Sequence, residues 1–215
     1  MSEFPILYSF RRCPYAMRAR LALMFAGQAC ELREIVLRDK APEFLEASPS
    51  KTVPTLVLPD GRIIDESLDI MIWAMQQSDS AGSHASGGAF TLIAINDGPF
   101  KASLDRYKYP DRHPSVDRDE ERGKAALILH DLDRRLQSSG YLVNETLSLT
   151  DMAILPFVRQ FAQVDRDWFD RQDWPHLLRW LNAFLASELF QAAMTKYPRW
   201  NAGDPTTLFA APCRD

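Results

Sequence analysis

The sequence predicts an α+β chain in which a mixed α/β domain precedes an all-helical domain. Three observations support this prediction. Apolar strand-like runs alternate with helical patterns over residues 1–77, a polar stretch rich in Ser, Gly and Ala covers 78–89, and helical periodicity without strand signals continues over 90–215. We therefore expect two domains, 1–77 and 90–215, joined by a linker at 78–89.

The first domain contains all the predicted strands. Pro14 suits the first turn of a helix that Gly27 ends, and Pro59-Asp60-Gly61 forms the turn of a hairpin. The helix that begins near Ser67 is expected to bury Ile70, Met71, Trp73 and Ala74. The predicted elements are strands over 5–10, 31–37, 55–58 and 62–65, and helices over 14–26, 42–47 and from Ser67 onward.

The second domain is predicted to be entirely helical. Ser148 followed by Asp151 resembles a capping box, in which two side chains satisfy the free N–H groups at the start of a helix. The apolar run after it indicates a buried helix. The predicted helices cover 90–107, 117–137, 150–164, 175–187 and 188–196.

Composition and charge exclude several classes of function. The chain has 215 residues, a net charge of −4 and 25% charged residues, which argues against nucleic acid or an anionic membrane as the main partner. No signal peptide and no long apolar span is recognised, so we expect a cytoplasmic protein. Three scattered cysteines do not form a disulfide framework, and the four histidines show no metal-ligand spacing. No phosphate-binding glycine motif is present.

Cys13 is the candidate catalytic residue because it lies where the first strand gives way to the first helix. Free backbone N–H groups and the positive end of the helix dipole favour the thiolate there. Arg11, Arg12 and Arg18 add positive charge nearby. We expect a nucleophilic thiolate at neutral pH; a buried, inert cysteine is the competing interpretation. Ala16 occupies the second position of a C-x-x-C pair, so any redox cycle needs a second thiol from solution.

Residues 8–16, Tyr-Ser-Phe-Arg-Arg-Cys-Pro-Tyr-Ala, resemble the motif of omega-type glutathione transferases. The resemblance is strong over 1–77, and further on only the 148–151 box and the helical pattern carry it. It implies a thioredoxin-like N-terminal domain, glutathione as co-substrate, no metal and a homodimer. The other positions that match this class in spacing are Lys40, Val53-Pro54 and Glu66-Ser67.

The resemblance also implies roles for these residues toward glutathione. Pro54 would be a cis proline that presents the Val53 backbone to the cysteinyl part of the tripeptide, like an added strand. Ser67 would hold the γ-glutamyl carboxylate and Glu66 the ammonium group. Lys40 would reach the glycine carboxylate, and Tyr15 occupies a backbone contact position.

Each of these positions also has a plain structural explanation. Pro54 suits the start of a strand in the trans form, and Glu66-Ser67 suits a simple helix cap. Lys40 suits a solvated loop, and Tyr15 suits ordinary packing.

The predicted function is glutathione-dependent thiol–disulfide exchange with Cys13 as nucleophile, of the deglutathionylating, thioltransferase or dehydroascorbate-reducing type. One alternative is conjugation of glutathione to electrophiles, with Ser9 or Tyr8 activating glutathione. Another is a non-catalytic transferase-like scaffold that binds protein partners. The acceptor, a small molecule or a protein thiol, is not specified by the sequence.

Two further expectations concern the acceptor pocket and the dimer. Aromatic residues of the second half are candidates to line the pocket, although aromatic residues in helices more often form core. Met71, Trp73 and Met75 are expected to offer apolar surface to a second subunit. The candidate pocket residues are Phe100, Tyr107, Tyr109, Phe157, Phe161, Trp168, Trp200 and Phe209.

Overall fold

A computed structural model gives the structure of residues 3–78 and 87–209. These residues form two compact units: one contains 3–78 together with 187–209, and the other contains 87–186. In chain order the elements are β1 (Ile6–Ser9), α1 (Pro14–Phe25), β2 (Cys30–Glu34), α2 (Pro42–Ala47), β3 (Thr55–Val57), β4 (Ile63–Ile64), α3 (Ser67–Gln76), α4 (Gly87–Ile95), α5 (Lys101–Lys108), α6 (Arg118–Ser139), α7 (Leu149–Ala162), α8 (Arg166–Asp170), α9 (Pro175–Ala186), α10 (Glu188–Ala193) and β5 (Leu208–Phe209).

The first unit is built on a mixed five-stranded sheet in the order β4-β3-β1-β2-β5. β1 pairs in parallel with β2 and antiparallel with β3, so it lies at the centre of the sheet. Apolar side chains on these strands, such as Leu7, Leu32 and Leu56, are buried. The predicted thioredoxin-like α/β domain is confirmed.

Helix α1 begins and ends where its sequence predicts. Pro14 occupies the first turn, where its missing N–H costs no hydrogen bond. Gly27 follows the helix with φ +69°, a left-handed conformation that glycine adopts without steric cost. Ten of the twelve residues of α1 are buried, which fixes the position of its N-terminus against the sheet.

Helix α3 buries apolar side chains that were expected to be exposed to a second subunit. Ile70, Met71 and Ala74 are fully buried as predicted, whereas Trp73 is only half-buried. Met71 and Met75 are 0% and 2% exposed, so they offer no apolar surface to a second subunit. The expectation that they do is wrong, because α3 packs closely on α1.

The second unit is helical throughout its described residues, 87–186. The predicted helix over 90–107 consists of α4, a π-helical turn at Asn96–Phe100 and α5. Pro99 lies inside that turn, where the wider helix accommodates a residue that has no N–H to donate. Two short helical segments, α8 and Pro110–Arg112, were not predicted.

The chain returns to the first sheet near its C-terminal end. β5 pairs antiparallel with the outer edge of β2, with Cys30 opposite Phe209. The expectation that residues after 90 contain no strand is therefore wrong. The predicted domain limits and linker stay predictions, since residues 79–86 lie outside the described part.

None of the helices in residues 3–78 and 87–209 is both long and apolar enough to cross a membrane.

Candidate active site

Cys13 is the residue immediately before α1, in an extended conformation with φ −78° and ψ 123°. Its carbonyl accepts a hydrogen bond from the Met17 N–H at 2.9 Å, as expected for the N-cap residue of a helix. The side chain is half-buried. The sequence prediction that the thiol lies at the N-terminus of a helix is confirmed.

The Val53-Pro54 peptide bond lies next to this thiol and is cis. The Cys13 Sγ donates to the Val53 carbonyl oxygen at a distance of 3.8 Å. Within the described residues no hydrogen bond reaches the Val53 N–H. A backbone donor without a partner therefore lies beside the thiol, as an extended peptide ligand requires.

Asp65 holds the loop that carries Val53 and Pro54. Its carboxylate accepts hydrogen bonds from Thr55 Oγ1 at 2.7 Å, the Ser50 N–H at 2.8 Å and Ser48 Oγ at 3.1 Å. Burial opposes ionisation of Asp65, but these donors outweigh it and keep its pKa below the usual value. Sequence reasoning did not identify this residue.

Glu66 and Ser67 stand at the start of α3, as predicted. Glu66 is the exposed N-cap residue, and Ser67 occupies the first helical position and is 3% exposed. Ser67 Oγ accepts a hydrogen bond from Arg18 Nε at 3.0 Å. The guanidinium carbon of Arg18 lies 5.0 Å from the ring centroid of Tyr15, which is half-buried.

Lys40 lies on the loop between β2 and α2. Its Nζ donates to the Lys51 carbonyl oxygen at 2.9 Å. Lys51 itself has φ +56°, a left-handed conformation that is uncommon for a residue with a side chain. The side chain of Lys40 therefore bridges to the loop that leads into Val53.

Tyr8 and Ser9, the alternative activating hydroxyls, are both buried and bonded to arginines. Tyr8 Oη accepts from Arg33 Nη1 at 2.7 Å, and Ser9 Oγ accepts from Arg20 Nε at 2.8 Å. Burial raises the pKa of Tyr8, and the effect of Arg33 only partly offsets it. The exposed fractions of Tyr8 and Ser9 are 3% and 0%.

A buried ion pair between Arg20 and Glu34 supports the turn before Cys13. The second carboxylate oxygen of Glu34 accepts a hydrogen bond from the Arg11 N–H at 2.7 Å. Arg20 is fully buried, also donates to the Ala193 carbonyl oxygen at 3.2 Å, and has its pKa lowered by burial. This network joins β1, α1, β2 and α10, and sequence reasoning missed it.

Cys30 and most of the candidate pocket aromatics are buried in the core. Cys30 is fully buried, and burial raises the pKa of its thiol to about 12. Cys213 lies outside the described residues. Of the pocket candidates, five are core residues at 0–1% exposure, and three are half-buried. The core residues are Phe100, Tyr107, Phe157, Phe161 and Phe209; the half-buried ones are Tyr109, Trp168 and Trp200.

No cluster of three His, Cys, Asp or Glu side chains suited to a metal ion occurs among the residues that the structure describes.

Two family models match this chain. The model for the N-terminal domain of glutathione S-transferases matches residues 7–82, and the model for the C-terminal domain matches 115–183. The chain belongs to the glutathione S-transferase family.

Individual relatives are distant in sequence. Glutathione S-transferase U19 of Arabidopsis thaliana is 26% identical over 203 residues, which cover 87% of this chain and 88% of the relative. Glutathione S-transferase U22 of the same plant is 38% identical over 72 residues, 33% of each chain. The probable glutathione S-transferase BZ2 of Zea mays is matched over 39% of its length. The chain thus aligns with about a third of the length of these last two relatives.

Solved structures confirm the fold. A glutathione transferase family member from Pseudomonas fluorescens Pf-5, with two glutathione molecules bound, superposes with a TM-score of 0.76 at 18% identity, covering 89% of this chain and 92% of that one. Glutathione transferase Omega 1C from Trametes versicolor gives a TM-score of 0.73 at 18% identity, over 90% and 92% of the two chains.

Proposed function

We propose that this protein is a glutathione-dependent transferase that performs thiol–disulfide exchange with Cys13 as the nucleophile. The observation that carries the proposal is the placement of the Cys13 thiol at the N-terminus of α1, 3.8 Å from the carbonyl oxygen of Val53. A helix N-terminus stabilises a thiolate, and the neighbouring backbone is suited to pair with an extended tripeptide.

Glutathione is proposed to bind along the start of α1 and α3. Its cysteinyl backbone pairs with Val53 and so brings its sulfur near Cys13, with Pro54 shaping that loop. Ser67 donates to the γ-glutamyl carboxylate from its hydroxyl and backbone N–H, and Glu66 receives the ammonium group. The remaining proposed contacts are the Lys40 ammonium with the glycine carboxylate and Tyr15 with the tripeptide backbone.

The proposed reaction has two exchange steps. The Cys13 thiolate attacks the glutathionyl sulfur of a mixed disulfide, the S–S bond breaks, and the acceptor leaves as a thiolate that takes a proton from water. The thiolate of a second glutathione then attacks the glutathionyl sulfur bound to Cys13, which releases glutathione disulfide and regenerates the Cys13 thiolate. The acceptor is a small molecule or a protein thiol.

The alternatives receive less support. Conjugation activated by Tyr8 or Ser9 requires hydroxyls that reach the ligand, but both are buried and bonded to Arg33 and Arg20. A non-catalytic scaffold does not need Cys13, Ser67 and a cis Pro54 in one site. The cytoplasmic location and the homodimer stay predictions.

Intact-mass measurement after treatment with glutathione disulfide tests the proposal. The parent protein should gain one glutathionyl group, and free glutathione should remove it. Cys13→Ala should gain none while it still binds to immobilised glutathione, and Cys30→Ala should behave like the parent. Failure of the parent to bind glutathione or to form the adduct would favour the scaffold, and exchange activity that persists in Cys13→Ala would favour Ser9 or Tyr8.

A further inference from the structure

Arg18 contacts two of the residues assigned to the glutathione site, although it lies 49 positions before one of them. Its Nε donates to Ser67 Oγ at 3.0 Å, and its guanidinium carbon lies 5.0 Å from the Tyr15 ring centroid. The side chain is 2% exposed, so a positive charge is buried between α1 and α3. Burial of an arginine at this depth requires specific partners, which gives these contacts a defined geometry.

The direction of the hydrogen bond matters for Ser67. A serine hydroxyl has one hydrogen to donate and two lone pairs that accept. Arg18 occupies an acceptor position, so the hydrogen of the hydroxyl stays available to a ligand. A cationic donor also polarises the hydroxyl and strengthens the hydrogen bond that it donates in turn.

We propose that Arg18 is a positioning residue for the glutathione site, which orients the Ser67 hydroxyl as a donor toward the γ-glutamyl carboxylate. This inference rests on the proposed function. Arg18 acts through Ser67, so it determines affinity for a carboxylate at that end of the tripeptide.

A double-mutant cycle measured by calorimetry with reduced glutathione tests this role. Ser67→Ala should raise the dissociation constant roughly tenfold to a hundredfold, because it removes a hydrogen bond to a charged group. Arg18→Gln should raise it about threefold to tenfold, since the hydroxyl remains but is no longer oriented. The double variant should bind like Ser67→Ala alone, because the proposed effect of Arg18 on the ligand passes through the Ser67 hydroxyl.

A matched variant separates positioning from a simple loss of positive charge. Arg12→Gln removes an exposed positive charge from the same region without any contact with Ser67, and should bind glutathione as the parent does. In steady-state assays Arg18→Gln should raise the KM for glutathione and leave kcat within about twofold, whereas partial unfolding lowers kcat in proportion to the active fraction.

Arg18→Lys keeps the positive charge and a hydrogen-bond donor group. It therefore replaces Arg18→Gln in the double-mutant cycle if Arg18→Gln does not fold. It should lose less affinity than Arg18→Gln and show the same non-additivity with Ser67→Ala. Additive losses, or unchanged affinity in the Arg18 variant, would overturn the inference while the proposed function stands. Absence of glutathione binding by the parent would instead reject the proposed function.

Discussion

Two thiols in the first unit have the same chemistry and opposite surroundings. Cys13 is half-buried at a helix N-terminus, whereas Cys30 starts β2 and is fully buried. The thiolate is the reactive form of cysteine; burial suppresses it at Cys30, and the charge of Arg20 only partly offsets that effect. These surroundings support the proposed reactivity of Cys13 and indicate a packing role for Cys30.

Alkylation of the parent protein by iodoacetamide, followed against pH, measures the ionisation of Cys13. We expect the rate at Cys13 to reach its plateau by about pH 7, because the helix N-terminus favours the thiolate. Peptide mapping should locate the label at Cys13 and find none at Cys30. A rate that instead rises around pH 8.5 is the behaviour of an unperturbed thiol and would contradict the catalytic assignment.

Cys30 should make stability depend on pH above neutrality. Its pKa in the folded chain is about 12, and an unfolded thiol ionises near pH 8.5, so the unfolded chain loses its proton first. This contribution to the free energy of unfolding is complete below about pH 8.5 and is lost as the pH rises toward 12. In urea titrations at pH 8 and 10, Cys30→Ala should lose about 2 kcal/mol less than the parent over this interval. Equal losses in the two proteins would show that Cys30 does not carry the effect.

The sequence identifies the candidate site residues better than it identifies their contacts. Cys13 and Pro54 belong to a motif, so their positions and the cis bond follow from the resemblance. The Arg18 side chain was counted only as a nearby charge, because nothing in a helical pattern says that it reaches Ser67 on another helix. Asp65 and Glu34 were missed for the same reason, since each acts on residues distant in sequence.

At the level of single elements, the start of α7 shows how one carboxylate organises a helix. Asp151 accepts hydrogen bonds from the N–H and hydroxyl of Ser148 at 3.1 and 2.6 Å. It also accepts from the Leu142 N–H and from Trp180 Nε1, each at 3.0 Å. The predicted pairing of Ser148 with Asp151 is confirmed, but its links to a loop and to α9 had no signal in the sequence.

Asp151→Ala should lower the free energy of unfolding by about 3 kcal/mol or more, because it leaves several buried donors without an acceptor. The matched control is Asp117→Ala at the exposed start of α6, where Asp117 accepts only from the N–H groups of Asp119 and Glu120. That change should cost about 1 kcal/mol. Chemical unfolding of both variants measures the difference, and equal losses would mean that the additional partners of Asp151 contribute nothing.

Elements with long periodic patterns were predicted well, and short ones were not. Helix α6 buries apolar residues three or four positions apart, which its sequence displays, and α1 is bounded by Pro14 and Gly27. β5 has two residues and depends on pairing with β2, more than 170 positions earlier, so no local pattern indicates it. The π-helical turn between α4 and α5 also depends on packing more than on residue type.

At the scale of the whole molecule, the last described segment, residues 200–209, lies along β2 and forms hydrogen bonds with it. The Trp200 N–H donates to the Glu34 carbonyl oxygen at 3.0 Å, and the Leu32 N–H donates to the Thr207 carbonyl oxygen at 2.8 Å. The Trp200 ring lies 4.4 Å from the guanidinium carbon of Arg33. The first unit is therefore completed by residues that follow the second unit in sequence.

Ending the chain after residue 198 should destabilise the protein and promote aggregation, because the edge of β2 loses its partner. Arg199→Ala is the control, since it removes an exposed ion pair with Asp39 and an exposed hydrogen bond to the Asp39 carbonyl oxygen, and should change stability by less than about 1 kcal/mol. Thermal unfolding and light scattering report the two effects. A truncated chain as stable and as dispersed as the control would show that the segment is dispensable.

The homodimer is predicted from the family resemblance alone, now that Met71 and Met75 are known to be buried. Sedimentation at micromolar concentration should give the mass of two chains. A single species at the mass of one chain would remove this prediction, and it would leave the exchange mechanism intact because every proposed site residue lies in one chain.

The return of the chain to β2 also sets an order of events during synthesis. At about 5–20 residues per second, a ribosome needs roughly ten to thirty seconds to pass from β2 to β5. During that time β2 is an unpaired edge of the sheet. The helical unit, which lies between β2 and β5 in sequence, is synthesised before β5. Chaperones that shield unpaired strands therefore have a defined interval in which to act on this protein, and slow codons after residue 186 would prolong it.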